Sequence, residues 1–368
     1  MSARRIVVAM SGGVDSSVAA AMLAKEGYDV VGITIKTSNF EDVGGNPGNE
    51  KSCCSLDGIN DARRVAAQFG FPHYVLDFTE RFSREVIHPF IQEYLAGRTP
   101  NPCVLCNRTI KWEELLKKAD ALGAERIATG HYARVHHSPE QGRYWIGRGR
   151  DGNKDQSYAL WGLTQESLAR TLFPLGELTK PEVRSLAETL GLDAAKKGES
   201  FEICFIPDDN YERFLNDQVP GLGEKVAGGE IVKDGRKIGT HRGYPFYTVG
   251  QRKGLGIATG EPIYVTSIDA AQNRVDVGPE SALFRKSMMV RSVNWMKYAA
   301  PDSALPVDVR IRYKDPGGRA RLTNLGDGTA SVEFDEPRRA ITPGQSAVFY
   351  DGDDIVGGGI IADERRDP

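Results

Sequence analysis

The feature that most constrains this chain is a glycine-rich hexamer close to its start, Ser11-Gly12-Gly13-Val14-Asp15-Ser16. A short β-branched run, residues 5–9, precedes it, and an alanine-rich stretch, residues 16–26, follows with Val18, Met22 and Leu23 turned to one side. A loop between strand and helix with two glycines lets a ligand approach the backbone closely. The helix behind it offers unpaired N–H groups and the positive end of its dipole. Ser11, Ser16 and Ser17 add hydroxyl donors. The hexamer therefore reads as an anion cradle. It lacks the Gly-Lys-Ser/Thr ending of a Walker A loop and the spacing of a dinucleotide fingerprint. A serine-capped turn would explain a lone Ser-Gly-Gly; the whole hexamer directly after the first strand favours the cradle.

The surrounding pattern alternates strand and helix. Residues 30–35, 74–78 and 126–129 read as strands, and 55–69 and 110–122 as helices, with Ala62, Val65, Ala66 and Phe69 at helical spacing. Such repetition implies a mostly parallel sheet covered on both faces, whose ligands bind beyond the C-terminal strand ends. Beyond Pro207 the signals change to short strands and turns. Asp234-Gly235 is a type I′ hairpin signal, Asp327-Gly328 turns the chain between two strand candidates, and Asp351-Gly352 separates two further apolar runs. A small β-barrel or sandwich is expected there. The expected domains are residues 1–206, 207–277 and 278–368, and residues 44–48 form the expected mobile loop.

Composition excludes several classes. At 368 residues and 40% hydrophobic content the chain is globular and long enough for more than one domain. No apolar run approaches the roughly 18 residues of a membrane span, and residues 6–9 are too short for a signal peptide. Five cysteines, an odd number, argue against a disulfide scaffold and for a reducing compartment, the cytoplasm. Cys103 and Cys106 lie in Asn101-Pro102-Cys103-Val104-Leu105-Cys106-Asn107, where Asn107 is expected to cap a helix and Cys106 to sit at its N-terminus as a favoured thiolate. Half a zinc knuckle is the alternative, but His131, His136 and His137 are in the wrong pattern to complete it. Cys204, alone in an apolar run, reads as a core residue, and Cys53-Cys54 as loop residues.

The hexamer resembles the PP-loop of the ATP pyrophosphatase superfamily. With it, the Asn-Pro-Cys-x-x-Cys-Asn segment, Ala128-Thr129-Gly130-His131-Tyr132-Ala133, Lys154-Asp155-Gln156-Ser157-Tyr158, Ile203-Cys204-Phe205-Ile206 and Gly250-Gln251-Arg252-Lys253-Gly254 resemble the bacterial tRNA-specific 2-thiouridylases, in that family's order and nearly end to end. The resemblance implies an α/β fold class: an N-terminal parallel-sheet PP-loop domain, a small central mixed domain and a C-terminal β-barrel. It implies 2-thiolation of the wobble uridine in tRNAs for lysine, glutamate and glutamine. ATP with Mg²⁺ would adenylate uridine O2, and a persulfide would then replace AMP with sulfur. ATP would be held by Ala9, Met10, Ser11, Gly12, Gly13, Val14, Asp15, Ser16, Ile35 and Gly130, with Asp15 toward Mg²⁺. Cys204 would carry the persulfide, and Cys106 would be the nucleophile that closes a disulfide with it. Asn101, Pro102 and Cys103 would line the target base, and Lys154, Asp155, Gln156, Arg312 and Tyr313 would touch tRNA. A cysteine desulfurase or sulfur-relay protein would supply sulfur. Many relatives carry Asp where this chain has Cys103, so Cys103, Cys106 and Cys204 holding a [4Fe–4S] cluster is the alternative route for sulfur.

The formal net charge of −3 argues, taken alone, against a nucleic-acid partner. It is an average. Between residues 221 and 260, Lys225, Lys233, Arg236, Lys237, Arg242, Arg252 and Lys253 stand against Glu224, Glu230 and Asp234, a local excess of four positive charges. Tyr244, Phe246 and Tyr247 interleave with them and suit stacking on unpaired bases. Arg310, Arg312, Arg319 and Arg321 form a second, weaker patch. A different PP-loop ligase and a nonenzymatic RNA-binding module are the competing readings. The first has no need of two cysteines, and the second none of a nucleotide cradle.

Overall fold

The computed structural model describes residues 4–37, 56–193, 203–258 and 260–363. The stretch 44–48 and Cys53-Cys54 lie outside them. The chain groups into two compact units, one of Met1–Ile87, Pro102–Asp209 and Asp353–Val356, the other of His88–Asn101, Asn210–Gly352 and Gly357–Pro368.

The first unit is built on five parallel strands. These are β1 (Arg5–Ala9), β2 (Asp29–Lys36), β3 (His73–Asp77), β4 (Arg126–Ala128) and, after a hairpin of β5 (Ala133–Ser138) and β6 (Arg143–Arg148), β7 (Thr171–Leu172). The order across the sheet is β3-β2-β1-β4-β7. Central β1 buries Ile6, Val7 and Val8 completely, as a strand covered on both faces must. Helices α1 (Val14–Lys25) and α2 (Leu56–Phe69) pack on it, with Val18, Ala19, Ala62, Val65 and Ala66 in one core with Ile6 and Val8. From β1 the chain steps outward to β2 and β3, then returns to the other side for β4 and β7. The order therefore reverses between β1 and β4, and the crevice beyond their C-terminal ends is the ligand position in sheets of this kind. The hexamer leaves β1 there, and Gly130 leaves β4. The β5–β6 hairpin has no counterpart in the sequence reading.

In the second unit, β8 (Glu230–Lys233), β9 (Arg236–Thr240), β10 (Tyr264–Asp269) and β11 (Arg274–Gly278) form a small mixed sheet in the order β10-β11-β8-β9. Asp234 and Gly235 both have positive φ, 51° and 75°, as the type I′ turn requires. The remaining strands, β12 (Phe284–Trp295), β13 (Leu305–Arg310), β14 (Gly318–Gly326), β15 (Thr329–Arg339), β16 (Ser346–Asp351) and β17 (Asp354–Ile361), run in the order β12-β15-β14-β13-β16-β17. β12 pairs back onto β17, which closes a barrel. The segment His88–Asn101 joins this unit through aromatic packing: Phe90 meets Phe214 at 6.1 Å and Tyr94 stacks on Tyr211 at 5.3 Å. The architecture is α/β, with a parallel-sheet domain, a small central domain and a closed barrel.

Candidate active site

The hexamer is held open from both sides by backbone. Gly12 has φ +76°, and a Cβ there would stand 2.0 Å from the Gly58 carbonyl oxygen of α2. A Cβ on Gly130 would meet Ser16 N at 2.7 Å and the Asp15 carbonyl carbon at 2.8 Å. Only glycine lets β4's exit loop lie against α1's first turn. Within the loop, Ser16 Oγ accepts from Ser11 N–H (3.1 Å), and Gly13, the N-cap, supplies no side-chain acceptor to the first helical N–H groups. Met10 is buried behind it, Ile35 half-buried on β2. Ser17, read as a further hydroxyl donor, is fully buried in α1 and faces the core.

Asp15 has defined partners. Its Oδ1 accepts from the Tyr132 hydroxyl at 2.7 Å, and Lys180 Nζ donates to Oδ1 and Oδ2 at 2.7 and 2.8 Å. Direct ligation of Mg²⁺ by Asp15 would compete with that ammonium. Among the described residues no three Cys, His, Asp or Glu side chains gather to hold a metal. A Mg²⁺ ion entering with a phosphate ligand would be held mainly by phosphate oxygens rather than by a protein-only site. The same finding bears on Cys103, Cys106 and Cys204. They do not form a ligand cluster, so the donor set does not fit a [4Fe–4S] group.

The cysteine helix starts earlier than its sequence suggests. Pro102 opens it, since a first-turn residue needs no N–H, and Pro102–Leu105 runs on as the wider π-helical segment Cys106–Trp112 and the α-helix Glu113–Ala121. Asn107 is consequently no cap; it is buried and donates its Nδ2 to the Ala159 carbonyl at 3.0 Å. The helix dipole acts most on exposed Cys103, while partly buried Cys106 sits one turn in. Trp112, at the end of the π segment, donates to Thr171 (2.8 Å) and packs against the His131 ring at 5.6 Å. Burial, then the charge of Lys111, holds His131 well below its ordinary pKa, so this ring next to Gly130 is neutral. Cys204 is tied in from the other side. Its neighbour Phe205 meets Phe82 edge-on at 5.6 Å, and the helix Thr79–Phe82 packs on the Cys106–Trp112 segment. Cys204 is only half-buried, whereas Phe205 and Ile206 fill the core. Trp112 thus ties the Cys106 helix to His131 beside Gly130, and Phe205 seats the Cys204 segment on Phe82, whose helix packs on the same Cys106–Trp112 stretch.

Three family models follow one another along the chain: the tRNA methyl transferase HUP domain over residues 4–208, the tRNA methyl transferase PRC-barrel domain over 213–279, and the aminomethyltransferase beta-barrel domain over 285–361. A tRNA-specific 2-thiouridylase of Salinibacter ruber is 54% identical over 97% of this chain and 94% of its own length. The chain belongs to the tRNA-specific 2-thiouridylase family. Members from Amoebophilus asiaticus and Heliobacterium modesticaldum are 54% and 52% identical over 99% and 97% of this chain, and 96% and 92% of their own.

Several residues assigned by resemblance to this thiouridylase family's RNA contacts have other work in the structure. Asp155 is 6% exposed, and its carboxylate accepts from Gly149 N–H (3.3 Å), Ser157 N–H (3.1 Å) and the Ser157 hydroxyl (3.0 Å). It organises its loop from within. Gln156 accepts the Tyr132 N–H and donates its own to the Tyr132 carbonyl, both at 3.0 Å, which fixes the ring whose hydroxyl meets Asp15. Half-buried Lys154 remains at the surface. In the second unit, Tyr244, Phe246 and Tyr247 are buried core residues, not a stacking surface, with the Tyr244 hydroxyl donating to the Leu95 carbonyl at 2.7 Å. Arg312 and exposed Tyr313 stand on a loop organised by buried Asp315, which accepts from Ile311 and Gly317 N–H groups. Asn101 belongs to the second unit, while Pro102, buried, begins the next stretch of the first. Lys180 escaped the sequence reading. The helix-start pattern Thr179-Lys180-Pro181-Glu182 was legible, its meeting with Asp15 across 165 residues was not.

Proposed function

We propose that this chain is a tRNA-uridine 2-sulfurtransferase acting at the wobble uridine of tRNAs for lysine, glutamate and glutamine. The observation that supports this reading is an anion cradle followed, at Gly130-His131, by a ring that packs on Trp112 of the Cys106 helix, with the Cys204 segment packed through Phe205 and Phe82 toward that helix. ATP lies along residues 9–16 with Ile35 and Gly130, and Mg²⁺ enters with the triphosphate to offset its charge. Uridine O2 bonds to the α-phosphorus as the Pα–O bond to pyrophosphate breaks, its electron pair leaving with pyrophosphate; the uridine N3 proton passes to water. AMP is now a good leaving group at C2. The terminal sulfur of a Cys204 persulfide attacks C2 and AMP departs. Cys106 thiolate then attacks Cys204 Sγ, freeing thiouridine and closing a Cys106–Cys204 disulfide. An external thiol reduces that disulfide, and a desulfurase or relay protein reloads Cys204.

The division of work follows residues 1–206 for activation and sulfur delivery, 207–277 for tRNA and 278–368 for the barrel that carries Arg312 and Tyr313. Asn101, Pro102 and Cys103 receive the base after it leaves its stack. The enzyme works in the cytoplasm; no helix of the described residues is long and apolar enough to cross a membrane. The test is incubation with ATP, Mg²⁺, a persulfide donor and tRNA transcript. AMP, pyrophosphate and 2-thiouridine are expected together, and Cys204→Ala stops thiolation while leaving pyrophosphate release. AMP without thiolation would point to a ligase, and tRNA binding without AMP to a binding module.

A further inference from the structure

Cys103 and Cys106 stand three residues apart on the helical run that Pro102 opens, and they lie on its less buried side. Cys103 is exposed and Cys106 half-buried, while Val104 and Asn107 are buried. Leu105, between the two thiols, has helical φ −62° and ψ −47°. Helical residues so spaced have Cα atoms about 5 Å apart, inside the range of about 4.4–6.8 Å that a disulfide spans. The turn is held by its inner side. Thr109 Oγ1 donates to the Leu105 carbonyl (2.9 Å), Asn107 Nδ2 to the Ala159 carbonyl (3.0 Å), and a Cβ on Gly162 would stand 3.1 Å from Val104. Two cysteines separated by two residues at a helix start make an arrangement suited to dithiol–disulfide exchange. Cys204 is half-buried like Cys106, so a bond between those two sulfurs offers less to a reductant from solvent than one that includes Cys103.

We propose that Cys103 is the resolving thiol of the cycle: it takes over the Cys106–Cys204 disulfide and carries it to the surface as Cys103–Cys106. The inference rests on the function proposed above. Cys103 thiolate attacks Cys106 Sγ, the Cys106–Cys204 bond breaks, and its electron pair leaves on the Cys204 sulfur. The exchange is redox-neutral, one disulfide forming as the other is lost. Cys204 returns as the thiolate that is reloaded with sulfur. An external dithiol then reduces Cys103–Cys106, supplying two electrons and two protons and closing a disulfide of its own. Exchange is fastest where the attacking sulfur is a thiolate and within reach. Cys103 meets both conditions, since it is the most exposed of the three sulfurs and stands in the first helical turn, where the dipole favours negative charge.

The experiment takes the full-length protein with ATP, Mg²⁺ and tRNA through one turnover and then through many. Cys204 is loaded from a persulfide donor, the donor is removed, and after one round without reductant the thiols are alkylated and the disulfide is mapped by peptide mass. Wild type is expected to hold Cys103–Cys106 with Cys204 alkylated, and Cys103→Ser to stop at Cys106–Cys204. With a dithiol present, Cys103→Ser should lose roughly tenfold or more in steady-state rate relative to its own first turnover. A role in seating the base slows both rates and leaves that ratio unmoved. Thermal melts establish that the variant is folded. A wild-type disulfide that stays at Cys106–Cys204, or passes to Cys53 or Cys54, overturns the proposal, as does an unchanged ratio in folded Cys103→Ser. Should the wild type form no 2-thiouridine at all, the proposed function is what fails. The pair is then tested by itself in Cys204→Ser protein equilibrated with glutathione redox buffers: a mapped Cys103–Cys106 disulfide supports the exchange pair, and its absence at every ratio refutes it.

Discussion

His73 sits beneath the cradle with its proton placement fixed by its neighbours. Thr34 Oγ1 donates to the Met10 carbonyl (2.7 Å), so toward His73 Nε2, 2.8 Å away, it can only accept. Nε2 carries the hydrogen, and burial, then the charge of Arg63, lowers the pKa from 6.5. His241 is fixed in the same way. Its Nε2 donates to the Asn273 carbonyl (3.0 Å) while Nδ1 accepts from Gly243 N–H (3.1 Å), and burial lowers its pKa from 6.5. With His131, three histidines are neutral in the folded protein and free to take a proton when it unfolds. The unfolded chain then binds more protons as pH falls below 6.5, so the stability these groups contribute is full above that value and declines below it, toward their lowered folded values. Urea melts from neutral pH down to about pH 5 should give a falling stability, and His241→Gln, which cannot titrate, should flatten the fall. An identical slope in that variant would exclude His241 as a contributor.

Elements of the site differ in how much of them could be read beforehand. The loop after β1 was legible because its function is local: glycines, serines and a helix start within six residues. The parallel sheet was legible from alternating apolar runs, and both Asp-Gly hairpins from two-residue turn chemistry. The π-helical stretch Cys106–Trp112 was not, since its Asn107 and Trp112 are held by partners far along the chain, the Ala159 carbonyl and Thr171. The setting of Asp155 was not legible for a related reason: only the fold brings the Gly149 and Ser157 donors onto its carboxylate. Asp155→Ala should leave two backbone N–H groups and a hydroxyl without their acceptor, destabilising the chain by about 2–3 kcal/mol. Because Gln156 in the same loop holds Tyr132 against Asp15, ATP cleavage should slow as well. Thermal melts beside pyrophosphate release check both. An unchanged melting point with weakened tRNA binding would return Asp155 to the role of an RNA contact.

At the scale of the whole molecule, charge is distributed by task. The chain totals −3, yet the stretch from 221 to 260 carries a local positive excess. The structure sorts that excess further. Lys237 pairs with Glu230 (3.2 Å) and Arg242 with Glu212 (3.0 Å), which lowers the charge they present to a phosphate. Arg252 and Lys253 are exposed on a loop pinned by Gln251, whose Oε1 accepts from Thr248 N–H and whose Nε2 donates to the Lys253 carbonyl. The neighbouring aromatics are core, so these exposed charges suit a phosphate backbone rather than stacked bases. Reversing both charges, Arg252→Glu with Lys253→Glu, should weaken tRNA binding uniformly across sequences. The slope of log affinity against log salt should shrink by roughly 0.7 to 0.9 for each phosphate that is no longer neutralised. ATP binding should be unaffected, because every residue assigned to the nucleotide belongs to the first unit and Arg252 and Lys253 to the second. Filter binding of tRNA across a salt series, with ATP titration alongside, measures the two separately. Unchanged affinity and slope would remove this loop from the tRNA surface and leave the exposed arginines of β14, Arg319 and Arg321, as the next basic surface to test.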